Sequence, residues 1–237
     1  MTVYIKKAEL HCHSNSTGKV LPYAPFLYDS VQECEEILEE AVSKSIKILS
    51  ITDHDSLEGY RRAKKIIFQK NLDVLLIPGC EISTKDGHVL AYGISKEIPK
   101  KLAAEETVQK IHEQGGVAVV AHPFMIFSLK SKIAKIHFDA LEGYNSSIPG
   151  KANTKAREAA DKLGLPCIAG SDAHLSSSIG DSIVLFKDTV ATQDDVLQAI
   201  KAGDFECTYT KTKILPMLLN HLKGNVRMRF KKRKSKN

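Results

Sequence analysis

Six segments of the chain place histidines and carboxylates at the ends of short apolar runs. They are His11-Cys12-His13, Thr52-Asp53-His54-Asp55, Gly79-Cys80-Glu81, His88, Ala121-His122-Pro123 and Asp172-Ala173-His174. They contain six of the nine histidines, too large a share for residues scattered over a surface. In extended backbone alternate side chains share a face, so His11 and His13 point one way and Cys12 the other, and Asp172 and His174 share a face likewise. Imidazole and carboxylate together are a donor set for zinc, manganese or iron. One HxH alone could be a hydrogen-bonded pair in a core; six such segments make a metal site the stronger reading.

The elements that must position these residues are legible as alternating patterns. Strands are predicted over Ala8–Ser14, Ile46–Thr52, Val74–Ser83, His88–Ile94, Val117–His122, Ala140–Tyr144, Pro166–Gly170 and Ser182–Phe186. Most are continuous runs of Ile, Val and Leu, as in buried parallel strands. Helices are predicted between them, at Val31–Ser45, Leu57–Lys70, Glu105–Gln114, Thr154–Leu163 and Gln193–Lys201. In the first, Val31, Cys34, Ile37, Leu38, Ala41 and Val42 recur at helical spacing, with Asp29 or Ser30 as its cap. Gly115, Gly164 and Gly203 stand where helices should stop. Strand–helix repetition means a doubly wound sheet or a barrel. Neither a GxGxxG nor a GxxxxGK[ST] motif is present, which favours a barrel over the nucleotide-binding sheets. In barrels the C-terminal strand ends form the active face, where the histidines and acids fall.

The 237 residues suit a single α/β domain, taken as 1–224, followed by a basic and disordered tail at 225–237. Lys211–Gly224 reads as a last helix. Arg227–Asn237 carries seven Lys/Arg and no acid; without it the net charge of +6 becomes 27 basic against 28 acidic residues. Such a run is read as a solvated end, or as a weak contact with nucleic acid. The five cysteines form no CxxC pair, which excludes a disulfide framework or zinc ribbon. The longest apolar runs are too short for a membrane span and no signal peptide is evident, so a cytoplasmic location is expected.

HCHS, ITDHDS, GCEIS, AHP and GSDAH, in this order, resemble the motifs of the PHP (polymerase and histidinol phosphatase) superfamily, most closely its short stand-alone metal-dependent phosphoesterases. The resemblance spans Ala8 to Gly180 and includes LEGYNS and Asn153. It implies a distorted (β/α)7 TIM-like barrel and two or three divalent ions, Mn, Zn or Fe. By motif, one ion would be held by His11, His13, Glu81 and Asp172. A second would be held by Glu81, His88 and His122, with Glu81 bridging. A third would use His54 and His174. The family often has an Asp or His five or six residues after HxH; Gly18 and Lys19 stand there in this chain, so the third ion lacks a ligand. Lys19 is either a cation offered to a substrate phosphate or an exposed loop lysine.

The implied reaction is hydrolysis of a small phosphate monoester or nucleotide. Paired divalent ions lower the pKa of a water between them and stabilise charge on phosphoryl oxygens. Glu81 takes part through its bridge, and His54 or His174, if not metal-bound, would protonate the leaving group. Asp53 and Asp55 are read as partners that orient histidines, Asp53 alternatively as a helix cap. Asn145 is either a substrate contact or the start of an Asx turn. His112, His137 and His221 read as surface residues, Cys80 and Cys167 as packing, and Arg157 as solvated. The alternatives are a nuclease acting on RNA or DNA ends and, from another class, a non-catalytic metal-stabilised binding module.

Overall fold

Runs of Ile, Val and Leu become strands where helices cover one face and other strands the second. The computed structural model describes residues 3–17, 29–125, 128–130 and 132–211. Its elements are β1 (Tyr4–Glu9), α1 (Cys34–Ser43), β2 (Ile46–Leu49), α2 (Glu58–Lys70), β3 (Leu75–Leu76), β4 (Gly79–Ser83), β5 (His88–Tyr92), α3 (Ala104–Glu113), β6 (Val117–Val120), β7 (Ala140–Asn145), α4 (Gly150–Leu163), β8 (Cys167–Gly170), β9 (Ser182–Lys187), α5 (Gln193–Ala202) and β10 (Glu206–Tyr209). Two five-stranded sheets result, ordered β10-β9-β1-β2-β3 and β4-β5-β6-β7-β8. Pairing is parallel for β1-β2, β2-β3, β6-β7 and β7-β8, and antiparallel for β9 with β1 and β10 and for β5 with β4 and β6.

The expected (β/α)7 barrel is therefore only partly matched: the fold is mixed α/β, and the ladders among the described residues close no ring. Two isolated parallel bridges, Cys12↔Ala173 and His54↔Glu81, cross the gaps between the sheets. The second joins two residues meant for the site and the first their immediate neighbours, so the seams of the two sheets meet where the histidines converge. Val74–Ser83, predicted as one strand, is divided at Pro78, whose nitrogen carries no proton for a ladder. Its first part stays with β2. Its second turns back on β5 through a loop in which Thr84 donates its N–H to Gly87. Gly87 has φ +143, and a Cβ there would meet the backbone of Leu129. The edge strand β10 was not predicted.

Helices end where glycine permits: Gly164 and Gly203 cap α4 and α5 with φ near +65. Helix α1 starts later than expected, with Glu36 accepting the backbone N–H of Glu33. Asp29 and Ser30 do not cap it; both side chains are engaged elsewhere. One core cluster lies within the sheets, around Leu10, Ile48, Leu90, Tyr92 and Ile168. A second packs α3 and α4 against β4–β7, and a third packs α1 and α2 against β2. Arg157, expected to be solvated, donates to the Gly143 carbonyl at 3.0 Å and lies over the Tyr144 ring. All five cysteines are free. Among the described residues no helix is long and apolar enough to cross a membrane. Residues Gly18, Lys19, His221 and the 225–237 tail lie outside the described residues, as does most of the Lys211–Gly224 helix.

Candidate metal centre

The first two histidines follow β1 on a backbone held from three sides. Glu9, fully buried, accepts the N–H of His11 and of Ser171 at 3.1 Å and that of Gly180 at 2.9 Å. Burial pushes its carboxyl up, against the hydrogen bonds. The Asp172 N–H donates to the His11 carbonyl at 2.8 Å, and the His13 N–H to that of Ala173 at 2.9 Å. Gln32 donates to the carbonyls of both His13 and Ala173, and Ser30 to that of His13. The ends of β1 and β8 are thereby locked side by side.

Glu81 is the centre of the cluster, and its two oxygens face different partners. Oε2 lies 3.1 Å from His13 Nε2, 3.2 Å from His11 Nε2 and 3.6 Å from His54 Nε2. Oε1 lies 2.8 Å from both His88 Nδ1 and His122 Nε2. Asp172 Oδ1 closes the first group, 3.3 Å from His13 Nε2 and 3.5 Å from His11 Nε2, and the two Nε2 atoms are 3.2 Å apart. Four donors at tetrahedral corners around a metal, with bonds near 2.0–2.1 Å, would be separated by about 3.4 Å. The observed spacings fall on that figure.

The hydrogen bonds also leave lone pairs pointing inward. His11 Nδ1 lies 2.7 Å from Glu142 Oε1, so that nitrogen carries the proton and Nε2 is bare. Thr17 gives its hydroxyl proton to Asp53 Oδ1 at 2.6 Å, so its oxygen, 3.4 Å from His13 Nδ1, accepts from that ring nitrogen and Nε2 is again bare. His88 Nδ1 is buried and close to Glu81 Oε1, yet out of line for a hydrogen bond. Bare nitrogens facing carboxylates require a cation or protons between them. The donors present fit divalent ions.

Without ions, protons take that role. Burial pulls the His13 imidazole down, but Asp172 and Glu81 outweigh it and hold it up at about 10. Burial likewise opposes the charged form of Glu81, and His54, His88 and His11 still hold it well below the carboxylate range. Asp172 is lowered in the same way by His11 and His13. His54 goes the other way, lowered by burial. His122 and Asp172, both ligand candidates, have left-handed backbone, with φ +28 and +52. Such strain in non-glycine residues collects at functional sites.

The structure regroups part of the expected ligand set. His11, His13, Glu81 and Asp172 come together as read, with donor atoms within 4.8 Å of one another. Two further sets do the same: His54, Glu81 and His88, and His13, Asp29 and His54. His88 and His122 both reach Glu81 Oε1, each at 2.8 Å. Near the third position, which lacked a ligand in the sequence, the structure brings the carboxylate of Asp29. Its Oδ2 lies 3.2 Å from His174 Nε2 and 3.7 Å from His54 Nε2. Burial raises its carboxyl, but His174 dominates and holds it at about 2. His174 is raised, its burial outweighed by Asp29 and Asp172, and its Nδ1 donates to the Asp172 carbonyl at 2.9 Å.

Other expected roles shift. Asp53 caps no helix. It holds the Ser14 N–H and the Thr17 hydroxyl, and so reaches His13 through Thr17. Asp55 touches no histidine; its carboxylate accepts the Ser83 N–H at 2.8 Å. Asn145, offered to substrate, is fully buried. Its amide donates to Glu142 Oε2 at 2.9 Å and to Asp172 Oδ2 at 3.2 Å, while its oxygen accepts the Ser147 N–H in an Asx turn. Glu142 was not singled out. It is fully buried, and it holds the His11 ring, the His122 N–H at 2.9 Å and Asn145 together. A carboxylate inside the apolar run Ala140–Tyr144 was the available signal. His112 pairs with Asp139 at 2.8 Å, away from the cluster.

A family model described as PHP-associated (PHP_C) matches residues 150–205. The chain is 35% identical over 142 residues to an uncharacterized protein of Methanocaldococcus jannaschii, a match covering 59% of this chain and 82% of the relative. It is 29% identical over 118 residues to a 5'-3' exoribonuclease of Haemophilus influenzae, covering 48% of this chain and 38% of that one. Among solved structures, a two-domain protein of Bacteroides vulgatus containing a predicted PHP-like metal-dependent phosphoesterase superposes with a TM-score of 0.69 at 15% identity. That match covers 86% of this chain and 65% of the other.

Proposed function

The chain belongs to the PHP superfamily of metal-dependent phosphoesterases, and from that membership we propose that it hydrolyses a small phosphate monoester or nucleotide with two or three divalent ions. The observation that carries the reading is the division of Glu81, with Oε2 toward His11 and His13 and Oε1 toward His88 and His122. A carboxylate placed this way would serve two ions at once. Asp172 completes the first set of donors, and Asp29, with His13 and His54, offers a third place, with His174 Nε2 3.2 Å from the same Asp29 oxygen. Divalent ions so held supply Lewis acidity toward phosphoryl oxygens and toward water.

The chain's own residues do the rest. Glu142 and Thr17 fix the ring orientations that leave His11 Nε2 and His13 Nε2 free as donors. Glu9 holds the backbone that carries His11 and Asp172. His174 donates its Nδ1 proton to the Asp172 carbonyl and turns Nε2 to Asp29, and with no ion in that place it would be the group to protonate a leaving oxygen.

The test is metal content and turnover of the full chain purified without chelator. At least two ions per chain are expected, with Mn²⁺-dependent turnover in a screen of nucleotides, sugar phosphates and short oligonucleotides. Glu81→Gln should keep the fold and abolish turnover. Fewer than one ion, with no hydrolysis after Mn²⁺ is added, overturns the reading in favour of a binding module.

A second reading, a nuclease acting on RNA or DNA ends, is favoured by the similarity to the exoribonuclease. Here the seven Lys/Arg of Arg227–Asn237 would add affinity for polynucleotides. Activity should then fall steeply with salt, and removing those residues should flatten the slope.

A further inference from the structure

The turn that follows His13 is held from outside the cluster by a side chain of helix α2. Arg62 is half-buried there, and its planar guanidinium reaches two separate pieces of chain. Nη1 donates to Asn15 Oδ1 at 2.8 Å and to Ser16 Oγ at 3.1 Å. Nη2 donates to Glu33 Oε2 at 3.1 Å.

Both pieces bear on His13. Asn15 and Ser16 are the middle of a turn closed by the Thr17 N–H on the Ser14 carbonyl at 3.2 Å. That turn carries the Thr17 hydroxyl, whose oxygen faces His13 Nδ1. Glu33 follows Gln32, whose amide donates to the His13 carbonyl at 2.6 Å and whose own carbonyl accepts the Asn15 N–H at 2.8 Å. Glu33 is also tied to the start of α1 through its reciprocal bonds with Glu36. The guanidinium therefore joins α2 to the turn that orients the His13 ring and to the segment that holds the His13 backbone. A half-exposed arginine with one acidic partner contributes little by itself. Here the contacts to Asn15 and Ser16 lie two residues and one residue from Thr17, so freeing them frees the hydroxyl that orients the ring. A lysine cannot replace the fork, because one nitrogen does not span the two places that Nη1 and Nη2 reach.

We propose that Arg62 is a positioning residue for His13, acting through the Ser14–Thr17 turn, so that metal affinity at the cluster depends on a guanidinium that cannot itself bind a cation. This rests on the metal-dependent reading above and extends it to a residue outside the cluster.

The experiment is a Zn²⁺ titration of the full chain in competition with a chelator. It compares wild type, Arg62→Ala, Arg62→Lys, Thr17→Val and the Arg62→Ala/Thr17→Val pair, with thermal unfolding of each metal-free protein. Groups that touch a metal-bound histidine change affinity roughly 10–100-fold when removed, and Arg62 stands one contact further out, so Arg62→Ala should weaken binding about three- to tenfold. Arg62→Lys should show a similar loss; it keeps the stem and the charge, and it decides the question if Arg62→Ala does not fold. In the Thr17→Val background the route is already cut, and Arg62→Ala should then cost less than about twofold. An arginine that only braces the fold would lower Tm and leave affinity unchanged, or its effect on affinity would multiply independently with that of Thr17→Val. Either result overturns the proposal, as does wild-type affinity in Arg62→Lys. Ions bound by wild type and Arg62→Ala with equal affinity overturn the proposal alone, whereas a wild type that binds no ion overturns the metal-dependent reading with it.

Discussion

Replacing Glu142 by Gln tests whether the proton positions at the cluster are set from outside it. Glu142 accepts from three donors: the His11 ring through Oε1 at 2.7 Å, and the His122 N–H and Asn145 amide through Oε2, each at 2.9 Å. A glutamine of the same shape has one oxygen. If that oxygen stays with His122 and Asn145, its NH2 group faces His11 Nδ1 and forces that nitrogen to accept. The ring proton then moves to Nε2 and points at Glu81 Oε2 and His13 Nε2, in the space an ion would fill. If the amide flips, His11 keeps its tautomer, but two buried donors face an NH2 group, at about 1–3 kcal/mol each. Substitutions of this kind lower metal affinity by roughly 10–100-fold, or about 1.4–2.7 kcal/mol. The assay is a Zn²⁺ or Mn²⁺ titration in competition with a chelator, on wild type and Glu142→Gln, with thermal unfolding of the metal-free proteins as the control for folding. An affinity within about twofold of wild type, with the fold intact, would refute the tautomer reasoning.

Three further outcomes follow from the same geometry. Asp29→Ala should lower the number of ions bound by one per chain and spare the set around His11 and His13; unchanged stoichiometry by elemental analysis would remove Asp29 from the ligands. In the metal-free chain His13 is held up at about 10 from an ordinary 6.5, so its contribution to stability is complete below pH 6.5 and disappears as pH rises through about 10. An ion must displace that proton, so apparent affinity should rise with pH between 6.5 and 10, and a pH-stat titration should record at least one proton released per ion bound. Gly59→Ala should cost about 1–3 kcal/mol, seen as a lowered Tm, because the new methyl would press on the Asp53 carboxylate, Ile51 and the Ser14 hydroxyl; a Tm equal to wild type would mean that the Asp53 network tolerates displacement.

The residues of the cluster were legible because of their position. Strand ends are few, and histidines and acids at six of them leave little other use for those side chains. What could not be read was which donors share an ion. His11, His13 and His122 present Nε2 to Glu81, whereas His88 presents Nδ1, and the choice of nitrogen follows from backbone direction and rotamer. That choice leaves His88 beside His122 at Glu81 Oε1 and also brings it to His54. Asp29 was hidden for a different reason. Just before an apolar periodic run, an aspartate is the ordinary signal for a helix cap. It is free to face His54 and His174 because α1 begins at Cys34, with Glu33 and Glu36 serving its end.

The carboxylates around the cluster show how far patterns alone can lead. Glu142 sits inside a run otherwise made of apolar residues and Glu9 between Ala8 and Leu10, and a buried acid so placed must be satisfied by several donors or remain protonated. Glu9 meets that demand with backbone N–H groups from three segments, Glu142 with a ring, a backbone and an amide. Each therefore ties together pieces of chain that the sequence separates by more than a hundred residues, such as His11 with Glu142. Asn145 and Asp172 extend the chain of contacts, the Asn145 amide donating to Glu142 and to Asp172. An acid within an apolar strand next to a histidine-bearing strand end is thus a usable signal for the partner of a metal ligand. Had it been applied to Ala140–Tyr144, it would have placed Glu142 at the centre instead of leaving Asn145 as the residue of interest.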